Sequence, residues 1–130
     1  MEIAGKLALV TGASSGIGAA TARALAARGA ELILVARSAD RLAAVAADIE
    51  AQGGRAHALP ADLSRPDAVA DMAQAVLSKT GTPDIIINNA GAGRWLSVME
   101  TAPEEARAMI ELPYLAAFAV TRAFLPHMLA

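Results

Sequence analysis

The sequence contains no cysteine, which excludes a disulfide framework and any thiolate metal site. Histidine is nearly as scarce: His57 and His127 stand alone and make a poor ligand set for a metal. Aromatic residues are only 3% of the chain, so abundant alanine, rather than large rings, must let helices pack closely on a sheet. Charged residues are 18% against 55% hydrophobic, too few for a disordered tail. The 11 basic residues are scattered and the formal charge is -2, so no basic stripe exists to neutralise a phosphate backbone. Nucleic acid is therefore not an expected partner. Long hydrophobic runs are missing as well: the longest uncharged stretch, Leu112 to Thr121, is far below the roughly 20 residues that cross a bilayer. The start, MEIAGKLALVTG, breaks its apolar run at Gly12 without a charged n-region or cleavage signature. A cytoplasmic protein of one domain over 130 residues, with no membrane partner, is expected.

Short apolar runs alternate with longer segments of helical period, the pattern of βαβ units and a parallel sheet covered on both faces. Leu7 to Val10 and Leu32 to Val35 are apolar tetrads, Arg55 to Leu59 is a weaker third run, and Asp84 to Ile87 is β-branched after its aspartate. Val69, Met72, Ala73, Val76 and Leu77 recur at helical spacing, as do Leu42, Val45 and Ile49. Ser38 and Ser64 stand where N-caps belong, Pro66 in a first turn, and Gly53-Gly54 and Gly81 where helices stop. Thr101-Ala-Pro-Glu104 has capping-box spacing and opens a long segment toward Met128. That segment carries no charge between Glu111 and Arg122, which predicts burial on more than one side, with a kink or new helix start at Pro113.

Thr11-Gly12-Ala-Ser14-Ser15-Gly16-Ile17-Gly18 directly follows the first strand and opens a helix, within a βαβ unit reaching about Ala36. Glycine at 12 permits the tight turn, at 16 a close backbone approach to phosphate, and at 18 close helix-to-strand packing. The helix start adds free N–H groups and a partial positive charge, so a dinucleotide pyrophosphate is expected there rather than a merely steric turn.

The glycines stand as TGxxxGxG, and with Asn88-Asn89-Ala90-Gly91 after the fourth strand and TRAFLPHM at Thr121 to Met128 the sequence resembles the classical short-chain dehydrogenases/reductases over its whole length. The resemblance implies a Rossmann-type doubly wound α/β fold, incomplete at about four strands in order 3-2-1-4 with helices on both faces. It implies that Asp62 and Leu63 flank the adenine, and that Asn88, Asn89, Ala90 and Gly91 line the cofactor and brace the sheet. Read alone, Asp62 would be a capping or loop carboxylate and NNAG an ordinary turn.

A carboxylate that reads the ribose hydroxyls of NAD belongs at the end of the second strand. Ala36 stands there instead, followed by Arg37. The missing carboxylate removes repulsion against a 2′-phosphate and the guanidinium can bind it bidentately, so NADP is expected over NAD. The competing reading of Arg37 is a solvated arginine. Ser14, Ser15 and Ser38 could add hydroxyl donors.

Family members use a tyrosine acid/base whose phenol, near pKa 10 when unperturbed, is lowered by a lysine, with a serine and an asparagine completing the set. This chain has no Tyr-x-x-x-Lys: its lysines are Lys6 and Lys79, and its single tyrosine, Tyr114, is followed four positions on by Phe118. Aligning TRAFLPHM puts Pro113 where the family has its asparagine. No catalytic residue is assigned, and the chain is expected to stop before the family's serine and Tyr-x-x-x-Lys. Tyr114 is expected to be a packed aromatic, and His57 and His127 structural or surface residues. Trp95 would line a substrate mouth or cover the core, and Arg94 would steer an anionic substrate or be solvated.

Two readings result. One is an NADP-dependent short-chain oxidoreductase acting on a small carbonyl or alcohol, represented by its cofactor-binding portion. The other is an inert nucleotide-binding or interaction module that complements another chain. An unpaired fourth strand and an uncovered last helix give either one a motive to form a homo-oligomer.

Overall fold

The computed structural model describes residues 1–91 and 93–130. Strand and helix alternate through β1 (Leu7–Thr11), α1 (Gly16–Ala27), β2 (Glu31–Ala36), α2 (Ala39–Ala51), β3 (Arg55–Pro60), α3 (Pro66–Lys79) and β4 (Ile85–Ile87). Then come α4 (Pro103–Ile110), a π-helical turn (Glu111–Leu115) and α5 (Ala116–Leu129). The four strands are parallel in the order β3-β2-β1-β4. In register, Ala8 lies between Leu32 and Ile85, and Leu32 is opposite Ala56 on its far side.

Alternation along each strand divides the core in two. Ala8, Val10, Leu32 and Leu34 face the layer of α1 and α2, where Ala22, Leu42 and Ile49 are buried. Leu9, Ile33 and Val35 face the layer of α3 and α5, where Met72, Val76, Val120 and Phe124 are buried. Each such Leu, Ile, Val or Phe contributes roughly 1.5–3 kcal/mol on leaving water. This is the doubly wound Rossmann-type fold, and the turns at the carboxyl ends of the strands open on one edge of the sheet.

Local signals were obeyed where nothing closer competed for the same atoms. Ser38 Oγ accepts from the Arg41 N–H at 3.4 Å and caps α2. Gly53 and Gly81, at φ 87° and 98°, follow α2 and α3 as stops. The fourth strand, Ile85–Ile87, is shorter than Asp84 to Ile87: Asp84 still donates its N–H to the Leu7 carbonyl at 2.9 Å, but the Leu7 N–H is taken by the Asp84 carboxylate, at 2.9 Å, instead of by a backbone carbonyl.

Three expectations need correction. Ser64 does not cap α3; its hydroxyl and N–H both donate to Asp62 Oδ1, at 2.6 and 3.1 Å, and Arg65 occupies the cap position before Pro66. Thr101 forms no capping box, because its hydroxyl donates to the Ser97 carbonyl at 2.8 Å and α4 starts after Ala102. The segment around α5 is not buried on several sides: Ala116, Val120 and Phe124 form one buried stripe, while Tyr114, Phe118, Leu125 and Leu129 are exposed. Only α3 and the sheet receive that stripe; among the described residues no element covers the opposite face.

Pro113 does disturb the helix, as its missing N–H and bulky ring require. The helix widens into a π turn in which the Ala116 N–H donates to the Glu111 carbonyl, five residues back. The continuous helical segment Pro103–Leu129 is long and apolar enough, by length and composition, to cross a membrane. The uncharged stretch Leu112 to Thr121 alone did not foresee this, since scattered charges divide the segment without making it polar. Its buried stripe ties it to α3 and the sheet.

Candidate functional site

The chain leaves β1 at Thr11, whose hydroxyl is buried at the edge of the site. It accepts from the backbone N–H groups of Asn89 and Ala90, each at 3.0 Å, and donates to the Ile87 carbonyl at 3.4 Å. The Asn89 side-chain amide donates to the Gly12 carbonyl at 3.3 Å. The turn after β1 is thereby fastened to the turn after β4. Asn88 fastens the same turn to α5, its amide donating to Thr121 Oγ1 at 3.0 Å. The glycine pattern assigns Thr11 no role; the sequence signal for it is a lone polar residue ending an apolar strand.

The three glycines have different reasons. At Gly12, with φ 64°, a Cβ would stand 2.9 Å from Asn89 Nδ2 and 3.0 Å from the Ala90 Cα. At Gly18 it would come within 2.1 Å of the Gly12 carbonyl oxygen, which no side chain allows. Gly16 has φ 55°, and a Cβ there would meet nothing within 4 Å. Gly12 and Gly18 are closed by packing, whereas Gly16 borders open space. Ser15 precedes α1 as its N-cap without a side-chain capping bond, so no side chain accepts from the N–H groups of Gly16, Ile17 and Gly18 among the described residues.

Beside this helix start lies a cleft of about 630 Å³. Gly12, Ser14 and Ser15 line it from the first turn, and Arg37 from the end of β2. Leu63 lines it beyond β3, and Asn89, Ala90 and Gly91 beyond β4. Of the other expected residues, Gly16 and Gly18 do not line it, Ile17 is 77% exposed on the first turn of α1, and Asp62 lies beside the cleft between its liners Ala61 and Leu63. Ser38, although it caps α2, also lines the cleft.

Arg41 and Leu112 were missed. Arg41 stands one helical turn after Arg37, a spacing that places both guanidinium stems at the start of α2, and both line the cleft. Among the described residues neither arginine forms an ion pair. The Asp62 carboxyl is held below its ordinary value, first by the Ser64 hydroxyl and amide and then by the field of Arg37 and Arg65. It therefore stays ionised beside the cleft.

The cleft has donors and positive charge, but among the described residues none that lines it is a carboxylate, histidine, lysine or tyrosine. It is equipped to hold an anion, not to move a proton. Tyr114 is 69% exposed, not packed as expected, on a separate apolar groove with Phe118 and Leu125 that no lysine lines. His57 bonds Glu31 at 2.6 Å on the sheet edge and His127 is exposed on α5, which fits the surface roles expected of them. Arg94 pairs with Glu105 at 2.5 Å, and Trp95 is fully exposed, so it does not cover the core. No cluster of metal-ligating side chains occurs among the described residues.

A doubly wound parallel sheet with a glycine-rich, anion-ready turn after its first strand defines the Rossmann class. Within that class the match is specific: the family model for short chain dehydrogenase covers residues 6–130. The chain belongs to the short-chain dehydrogenase/reductase family, a family of oxidoreductases. An uncharacterised oxidoreductase of Mycobacterium tuberculosis is 44% identical, over 97% of this chain and 38% of that protein. A fatty acyl-CoA reductase of Acinetobacter baylyi is 39% identical, over 98% of this chain and 44% of that protein. Among solved structures, L-sorbose reductase from Gluconobacter frateurii complexed with NADPH and L-sorbose matches with TM-score 0.89 and 38% identity, covering 98% of this chain and 50% of that one. The chain thus spans half or less of the length of these relatives.

Proposed function

We propose that residues 1–130 form an NADP(H)-binding domain serving hydride transfer between the coenzyme and a carbonyl or alcohol. The observation that carries this reading is the helix start itself. Gly16 is left-handed with open space in place of a Cβ, the first-turn amides lack side-chain acceptors among the described residues, and Ser14 and Ser15 just before it line the cleft. A diphosphate is the ligand such a start favours. Arg37 and Arg41, unpaired at the β2 side, suit the additional phosphate of NADP, whereas a carboxylate would be required to read a free ribose. The residues present therefore fit the coenzyme.

When bound, the coenzyme supplies or accepts the hydride. The chain's own groups bind and orient it: the glycine turn at the diphosphate, the arginines at the ribose phosphate, and Asn89, Ala90 and Gly91 along its other half. The NADPH complex of the sorbose reductase supports the choice of coenzyme. The relatives' substrates range from a fatty acyl-CoA to a sugar, which is consistent with a shared coenzyme cleft and a variable substrate side. The reading includes a cytoplasmic location and self-association through the β4 edge or the exposed face of α5, where a groove of about 600 Å³ is lined by Pro113, Tyr114 and Phe118.

The absence of a proton-transferring side chain in the cleft favours a second reading for the isolated chain, a coenzyme-holding module without turnover. Calorimetry with NADPH and NADH, followed by an assay for carbonyl-dependent NADPH oxidation, separates these outcomes. The proposal expects saturable binding that is tighter for NADPH, and no steady oxidation by the 130-residue chain. Equal affinity for both coenzymes contradicts the NADP assignment, and steady oxidation contradicts the module reading.

A further inference from the structure

We propose that the groove between β3 and α3 binds an extended peptide with an apolar residue at its carboxyl end: the peptide backbone pairs with the free edge of β3, its last side chain enters the cavity there, and Lys79 takes its carboxylate. The site is separate from the coenzyme cleft and does not rest on the coenzyme reading. β3 has a single neighbour in the sheet, β2. In that pairing the Ala61 N–H donates to the Ala36 carbonyl at 2.9 Å, and Ala36 stands opposite Pro60. The parallel ladder therefore turns the backbone groups of His57 and Leu59 toward β2 and those of Ala56, Ala58 and Pro60 outward. Ala56 and Ala58 each present an N–H and a carbonyl there, beside side chains too small to cover them, and Pro60, which has no N–H, ends the row. A strand that follows α5 by a right-handed crossover falls beside β4, so the β3 edge is not the one that such a strand closes.

Beside that edge lies a cavity of about 320 Å³, at the lower end of the range for ligand cavities. It opens where α2 packs on one face of β3 while α3, on the other face, packs on α5. Ile33 and Val76, both buried, and Leu59 and Ala75, both half-buried, give it an apolar lining. Ala58 lines it too, although strand alternation sends its side chain with that of Ala56 to the α2 face, so what Ala58 brings is backbone. The acceptors nearby are occupied. The Ala75 carbonyl accepts from the Ser78 hydroxyl at 3.2 Å and the Val76 carbonyl from the Thr80 hydroxyl at 2.9 Å. The Glu31 carboxylate is held by His57 at 2.6 Å and Arg55 at 3.4 Å. Lys79 lines the cavity with no ion pair, and no carboxylate lines it, among the described residues. The matching occupant has an N–H and a carbonyl to pair with Ala58, an apolar side chain and a carboxylate. A peptide added as a strand has all of these, and its alternate side chains fall on the α3 side, over the cavity.

The test records amide NMR spectra of the isotope-labelled chain while acetylated tetrapeptides with free carboxyl ends, Thr-X-Thr-X with X leucine, valine or phenylalanine, are added to millimolar concentration. The proposal expects saturable shifts at Ala56, Ala58, Leu59, Val76 and Lys79 with one or more of these peptides, and none at Gly12 or Gly16. Amidating the carboxyl end of the binding peptide, or Lys79→Gln, should weaken it by roughly twofold to fivefold, as loss of an exposed ion pair does. The two changes together should cost no more than either alone. Ala58→Pro removes the outward N–H at an edge position that tolerates proline and should weaken binding by roughly fivefold. Ala75→Glu, which puts a good helix former in α3 and a charged chain in the cavity, should do the same and carries the test if circular dichroism shows Ala58→Pro unfolded. Shifts absent with every peptide, or confined to the turn after β1, overturn the proposal. So does octanoate binding as tightly as the peptide, because it has no amide to pair with the strand. Shifts at the same amides on concentrating the chain alone show a second copy at this edge and overturn the peptide assignment.

Discussion

Arg37 and Arg41 have no carboxylate to neutralise them among the described residues, and both face the cleft. A charge-assisted hydrogen bond contributes about 1.5–3 kcal/mol, which corresponds to roughly a tenfold to hundredfold change in affinity. Arg37→Asp should therefore lower the preference for NADPH over NADH by that factor, and Arg41→Ala by somewhat less; coenzyme titrations of both variants measure it, and an unchanged ratio removes the assigned role. Thr11 offers a test of the scaffold. Thr11→Val leaves two backbone donors without an acceptor and should cost roughly 2–5 kcal/mol, whereas Thr11→Ser keeps the hydroxyl and should lose far less in a urea melt. The glycines and Arg37 were legible because each does one thing that few residue types can do. Arg41 was not, since an arginine in a helix is ordinary until the turn after β1 is folded beside it. Thr11 was invisible for a similar reason: its partners Asn89 and Ala90 lie 78 and 79 residues away.

At the scale of elements, the strands and helices followed their periodicity, and the misreadings concern which group claims a hydrogen bond first. Ser64 and Thr101 have capping chemistry, but Asp62 and the Ser97 carbonyl are closer partners. The Asp62–Ser64 turn makes a pH prediction. The Asp62 carboxyl is depressed below the ordinary 3.8 mainly by the Ser64 hydrogen bonds, so its contribution to stability is fully present above that value. It is lost as pH falls through the lower folded-state value. Urea melts between pH 6 and pH 2 should show an acid-side loss that is smaller in Asp62→Asn; identical acid profiles contradict the assignment. Pro113 was read correctly as a break, although the sequence left open whether it kinks the helix or restarts it. The answer, a π turn, depends on the helix continuing to bury Ala116 and Val120 on the far side.

For the whole molecule, the parallel sheet was legible in its apolar runs, and the order 3-2-1-4 came with the family resemblance. The exposed face of α5 agrees with the uncovered last helix expected of a four-strand sheet, and not with the burial expected from the uncharged stretch alone, because such a segment looks the same whether the fold covers it or leaves it open. Tyr114, Phe118 and Leu125 remain in solvent there, and β4 lies at an open edge. The chain should associate with rising concentration, and Phe118→Glu should shift sedimentation toward the monomer; a monomer at all concentrations sets self-association aside. The claim on which the functional account depends is that a dinucleotide diphosphate sits against the amides that open α1. Amide chemical shifts followed by NMR during an NADPH titration of the folded chain test it directly. The account predicts saturable changes largest at Gly12, Gly16, Ile17 and Gly18, and a folded chain whose amides there do not respond contradicts it.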